Sequence, residues 1–73
     1  MIEKLTEIVR EYTGSEDIVL TEETNLLTDL GLNSFDLVNM VVEVEDAFDL
    51  EIPDRVIKDF RTVGDVIAFI DEQ

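Results

Sequence analysis

Apolar residues recur along this chain at helical spacing and not at the alternating spacing of a strand. Ile2, Leu5, Ile8, Val9 and Tyr12 lie three and four residues apart, with Glu3, Glu7 and Glu11 on a separate stripe. The pattern predicts an amphipathic first helix from the N-terminus to about Tyr12, stopped by Gly14. The longest periodic segment runs from Ser34 or Phe35 to Phe48. At about 100° per residue, Leu37, Met40, Val41, Val44 and Phe48 gather on one core-facing side. Phe35, Val38 and Val42 fall on a different side, interleaved with Asn39, Asp46 and Asp49. A surface helix needs only one apolar stripe, so the second either packs on a neighbouring loop or docks a partner.

Between these helices, Ser15 to Asn33 is polar but also carries Ile18, Val19, Leu20, Leu26, Leu27, Leu30 and Leu32. A disordered linker has no use for so many aliphatic groups. The stretch reads as an ordered loop pinned to the core, with a short helical turn near Thr21 to Asn25. An ordered loop this long in so small a chain is often functional. Gly31 supplies a backbone angle that other residues resist.

After the link Asp49 to Ile52, Pro53 suits the first position of a short third helix near Asp54 to Lys58, which buries Val56, Ile57 and Phe60. Thr62 with Asp65 forms a capping pair for a last helix whose apolar face is Val63, Val66, Ile67 and Ile70, with Phe69 at its edge. The expected fold is all-α: a small four-helix bundle, three longer helices and one short, with a long structured first loop. Residues 1–73 form a single domain.

Composition narrows the chemistry. Cysteine and histidine are both absent, so there is no disulfide, thiolate nucleophile or zinc–thiolate site, and the commonest general base is missing. A reducing, cytoplasmic setting fits. The longest apolar run is far short of a membrane span, and the N-terminus lacks a basic-then-apolar signal pattern. No glycine-rich phosphate loop or calcium-loop spacing occurs, and no metal site is expected. Paired carboxylates carry little information in a chain this acidic. A small bundle rarely gives two of them the unequal environments that acid–base catalysis needs.

Five basic against nineteen acidic side chains leave a net charge of −14. That argues against nucleic acid and anionic membrane as partners and for basic protein surfaces met by electrostatic steering. The charge asymmetry is local: Asp36, Glu43, Glu45, Asp46, Asp49, Glu51 and Asp54 follow Ser34 without a base, and positive charge returns only at Arg55, Lys58 and Arg61.

Ser34 is one of two serines and stands where the loop gives way to the second helix. With no histidine to activate it, it is a poor nucleophile alone. Its position suits a helix cap, or an attachment point for an anionic group at the positive end of the helix dipole.

Three motifs in order carry a resemblance. Leu30-Gly31-Leu32-Asn33-Ser34-Phe35 resembles the Leu-Gly-x-Asp-Ser-Leu signature of acyl carrier proteins, with Asn33 and Phe35 in place of the family's aspartate and leucine. Glu45 to Asp54 resembles that family's acidic stretch ending in Ile-Pro-Asp, and Thr62-Val63-Gly64-Asp65 its opening of the last helix.

The resemblance implies a non-enzymatic carrier. Its 4′-phosphopantetheine is moved from coenzyme A onto Ser34, flanked by Asn33 and Phe35, by a phosphopantetheinyl transferase. The arm's thiol would carry acyl groups as thioesters to acyl-transferring and acyl-modifying enzymes of fatty-acid or related lipid synthesis. Those partners would read the second helix with basic docking patches: Asp36, Glu43, Glu45 and Asp46 for charge, Phe35, Val38 and Val42 for apolar contact, and Asn39 where the family often holds another acid. A sheltered acyl chain would lie among Met40, Val41, Val44, Ile57 and Ile67. The carrier is expected to be monomeric. A carrier for an aminoacyl or polyketide intermediate, and an unmodified interaction protein that keeps the fold, stay open as alternatives.

Overall fold

A computed structural model describes all residues, 1–73. It contains helices α1 (Ile2–Thr13), α2 (Ser34–Phe48), α3 (Asp54–Ile57) and α4 (Val63–Asp71). The all-α reading holds, and the only extended pairing is one antiparallel bridge between Asn25 and Thr62.

One apolar core joins every element. α1 buries Leu5, Ile8 and Val9; α2 buries Leu37, Met40, Val41 and Val44; α4 buries Val63, Val66 and Ile70. Phe48, expected on the core face, is only half-buried, as are Ile67 and Phe69. Phe69 meets the buried Phe60 edge-to-face, with ring centroids 6.2 Å apart, fastening α4 to the α3 region. No polar or charged residue is buried. No acid is therefore cut off from water, and none bears the full cost of burying a charge.

The long first loop belongs to the core. Leu20 and Leu26 are buried, and Ile18, Leu27, Leu30 and Leu32 pack against them half-covered. The radius of gyration, 11.0 Å, equals that of a compact chain of this length, about 11 Å, so the loop does not extend away. Backbone bonds stitch it to the start of α4. Leu26 N–H donates to the Arg61 carbonyl (2.9 Å), Val63 N–H to Thr24 (3.0 Å) and Gly64 N–H to Glu22 (2.9 Å). A Cβ on Gly64 would stand 3.0 Å from the Glu22 carbonyl oxygen, so any larger residue there would have to push that backbone back by a few tenths of an ångström.

The expected helical turn at Thr21 to Asn25 is not there. Thr21 and Thr24 instead close a tight turn: Thr24 N–H donates to the Thr21 carbonyl (3.1 Å) and Thr21 N–H to the Thr24 hydroxyl (2.9 Å). This frees the following backbone to pair with α4. The turns fall later, from Leu26 to Gly31, where the Asn25 side chain accepts the Leu27 and Thr28 N–H groups (both 2.9 Å). Gly31, at φ 69°, ends them, and Leu32 N–H reaches back to the Leu27 carbonyl (2.9 Å). Local competition from Thr and Asn side chains moved the turn downstream.

α2 ends at Asp49, left-handed at φ 53°. The half-buried Glu45 then accepts the Ile52 N–H (2.7 Å) and pins the link to the helix. α3 is one turn, shorter by a residue than expected, with Pro53 as its cap and not its first residue. The Arg61 guanidinium closes it, donating to the Lys58 and Phe60 carbonyls (2.8 and 3.1 Å). The Thr62–Asp65 box opens α4 as its sequence spacing indicates. The Arg61 and Thr62 N–H groups that the Asp65 carboxylate accepts hold that acid below its usual range.

Candidate functional site

The site is the start of α2. The loop reaches it through Gly31, and Asn33, in an extended conformation, makes the cap. The Asn33 side chain accepts the Asp36 N–H (2.9 Å), and the Asp36 carboxylate accepts the Asn33 N–H (3.3 Å). This reciprocal box corrects the cap reading of Ser34: the cap is Asn33. The asparagine oxygen does the work, with Asp36 in the position where a box needs an acid.

Ser34 is thereby released. It is the first helical residue, its side chain is exposed, and its hydroxyl makes no hydrogen bond within the protein. The N–H groups of Ser34 and Phe35 also find no internal acceptor, because the box takes only those of Asn33 and Asp36. Two free donors and a positive helix end therefore flank an unencumbered hydroxyl.

Asp36 also joins α1 to the site. The Tyr12 hydroxyl donates to its second oxygen (3.0 Å). Desolvation, and next that bond, push the Tyr12 phenol above its ordinary value of 10.0. Nothing in the sequence pairs residue 12 with residue 36, and the contact exists only because α1 and α2 pack together.

The second stripe of α2 is open to solvent. Phe35 is 74% exposed, Val38 45% and Val42 50%, so the loop does not cover them. Asn39, Glu43 and Asp46 are exposed beside them, Glu43 and Asp46 bordering a shallow groove with Lys4, Glu7 and Glu11 of α1. Asp36 and Glu45 differ from these. Both were expected to offer charge outward, but both are half-buried and bonded to the chain's own backbone.

Of the side chains expected around a sheltered acyl chain, Met40, Val41 and Val44 line a void of about 20 Å³ between α1, α2, α4 and the loop. That volume holds little more than one water-sized sphere, and its lining is wholly apolar. Ile57 does not reach it, and Ile67 lies half-buried away from it.

Ile57 borders a different feature that the sequence did not indicate. A groove of about 330 Å³ runs beside Ser34, floored by Leu27, Leu37, Val38, Ile57 and Phe60 and edged by Lys58 and Arg61. The return of basic residues after Asp54 was the one signal for it. No three acidic side chains converge in a way that would hold a metal ion.

A free serine hydroxyl at a helix start suits the attachment of an anionic group, and the comparisons place the chain in a class of prosthetic-group carriers. Residues 3–70 match the family described as phosphopantetheine attachment site. Acyl carrier proteins from two Clostridium perfringens strains are each 36% identical over 72 residues, covering 99% of this chain and 95% of theirs. The acyl carrier protein of Thermotoga maritima superposes with a TM-score of 0.85 at 34% identity, over 97% of this chain and 82% of that one. A candidate acyl carrier protein from Mycobacterium tuberculosis gives 0.86 at 30% identity, over 96% and 93%. The chain belongs to the acyl carrier protein family.

It is therefore a carrier and not an enzyme, and its prosthetic group is 4′-phosphopantetheine. Its partners include a phosphopantetheinyl transferase and enzymes that handle acyl groups. The residues fit the group: Ser34 has a free hydroxyl, two free N–H donors adjoin it, and the groove beside it has cationic edges. No helix is long and apolar enough to cross a membrane.

Proposed function

We propose that Ser34 carries the 4′-phosphopantetheine and that the arm's thiol bears acyl groups as thioesters for fatty-acid or related lipid synthesis. The observation that carries this reading is the uncommitted Ser34 hydroxyl, relieved of capping by Asn33. The chain supplies no base to take the hydroxyl proton. It has no histidine, and the nearest carboxylate along α2, Asp36, is held by the Asn33 N–H and Tyr12. The proton therefore goes to a base on the transferase, as Ser34 Oγ bonds to the phosphorus of the incoming arm and the nucleotide part of coenzyme A leaves.

Residues 1–73 act as one carrier domain, monomeric and cytoplasmic. Partners with basic docking patches meet the exposed face of α2, where Phe35, Val38 and Val42 bury apolar area within a rim of Asn39, Glu43 and Asp46. Asp36 and Glu45 contribute to the field there while their oxygens stay on internal donors. A sheltered acyl chain enters beside Met40, Val41 and Val44, by widening the void they line.

Incubation with coenzyme A and a broad-specificity transferase tests the attachment. Intact mass is expected to rise by one phosphopantetheine in the wild type and not in Ser34→Ala. The variant is expected to melt with the wild type, since the hydroxyl makes no internal bond. An adduct that survives Ser34→Ala overturns the assignment.

A further inference from the structure

We propose that Lys58 and Arg61 form a seat for the phosphodiester that joins the arm to Ser34, so that the arm lies along the groove between α2 and the α3 region. This rests on Ser34 as the attachment residue. The two cations and Ser34 border the same groove, whose floor is five apolar side chains. A phosphodiester carries one negative charge, and in this protein cations are scarce. Between Arg10 and Arg55 there is no basic residue at all, yet two of the five in the chain flank this groove. Arg55, the third base of the same segment, lies off it.

The two edges differ in preparation. The Arg61 guanidinium is already fixed by its bonds to the Lys58 and Phe60 carbonyls through a single nitrogen, Nη1, which leaves donors on its other nitrogens. A donor held in place before its ligand arrives loses little freedom on binding. The Lys58 ammonium makes no hydrogen bond within the protein and can swing to the phosphate. The free Ser34 and Phe35 N–H groups meet the same phosphate from the helix side. The apolar floor would then take the uncharged part of the arm, drawing it along the bundle and leaving Phe35 and Val42, which do not line the groove, free.

The test is the 31P resonance of the loaded protein, referenced to the same phosphodiester in the urea-unfolded chain. In the folded wild type it is expected to be displaced from that reference. Lys58→Ala with Arg61→Ala should return it most of the way. Salt at about 1 M should do the same, since the screening length there is about 3 Å. Arg55→Ala, which removes an equal charge off the groove, should leave it displaced. Because Arg61 also closes α3, Lys58→Glu serves as the second variant: it reverses charge at a side chain with no internal bond and should shift the resonance while the amide spectrum stays folded. A folded-state resonance equal to the reference, or one that none of the groove variants moves, overturns the seat while leaving Ser34 in place. Peptide mapping that finds the arm on another residue overturns both.

Discussion

Truncation of Leu26 separates a structural loop from a tether. Leu26 lies in the middle of the long first connection, yet it is 3% exposed and lines the core void. Full burial of a leucine side chain contributes about 1.5–3 kcal/mol, and truncation leaves a cavity whose cost adds to that. Here the new cavity opens into an existing void of about 20 Å³ and adjoins a backbone held by the Leu26–Arg61 bond, so collapse around it is limited. Leu26→Ala should therefore cost about 3 kcal/mol, the middle of the range of about 2–5 kcal/mol for such changes. A chain of this length has a total stability of roughly 4–11 kcal/mol.

Urea unfolding followed by circular dichroism reads the loss. With a slope near 1 kcal/mol per molar, typical of small domains, the midpoint should fall by about 3 M at unchanged slope. Val19→Ala is the matched control, from the same loop at 75% exposure, and should stay within about 0.5 kcal/mol of the wild type. If Leu26→Ala also stays within that margin, the loop is not part of the core and the account of how it places Ser34 is wrong.

The remaining predictions concern charge. Asp65 is depressed below its ordinary value of 3.8 by the Arg61 and Thr62 N–H groups. Its contribution is present above that pH and lost as pH falls through the lower folded value, so the midpoints of wild type and Asp65→Asn should converge in acid. Tyr12 is raised above 10.0, so above that pH the unfolded phenol ionises while the folded one resists. Wild type should lose stability there, and Tyr12→Phe should lose less over the same pH span. With a net charge of −14 and no buried acid, melting temperature should climb between low and moderate salt; a flat profile would contradict mutual repulsion among the carboxylates.

Features that depend on near neighbours were legible in the sequence. The faces of α1, α2 and α4 follow from three- and four-residue spacing, and the Thr62–Asp65 box from two residues within one turn. The Ser34 position was legible too, but not that Asn33 takes the capping role and leaves the serine hydroxyl free. Three polar residues, Asn33, Ser34 and Asp36, compete for the same orphan N–H groups, and the extended backbone at Asn33 decides among them. Features joined across the fold left no sequence trace in the case of the Tyr12–Asp36 bond and the Asn25–Thr62 bridge, and only the return of basic residues after Asp54 in the case of the groove that Ser34 shares with Lys58 and Arg61. The same holds for Glu45, which looks like one acid among many until the link bends back to give it the Ile52 N–H.

The bond from Tyr12 to Asp36 has a practical side. The chain has one tyrosine and no tryptophan. Excited beyond the phenylalanine absorption band, its emission thus comes from one ring, whose hydroxyl touches the capping box beside Ser34. A carboxylate acceptor quenches phenol fluorescence, so separation of α1 from the start of α2 should brighten the whole protein. Opening of the α1–α2 contact can thus be followed through that native fluorophore, with no label on the exposed face of α2.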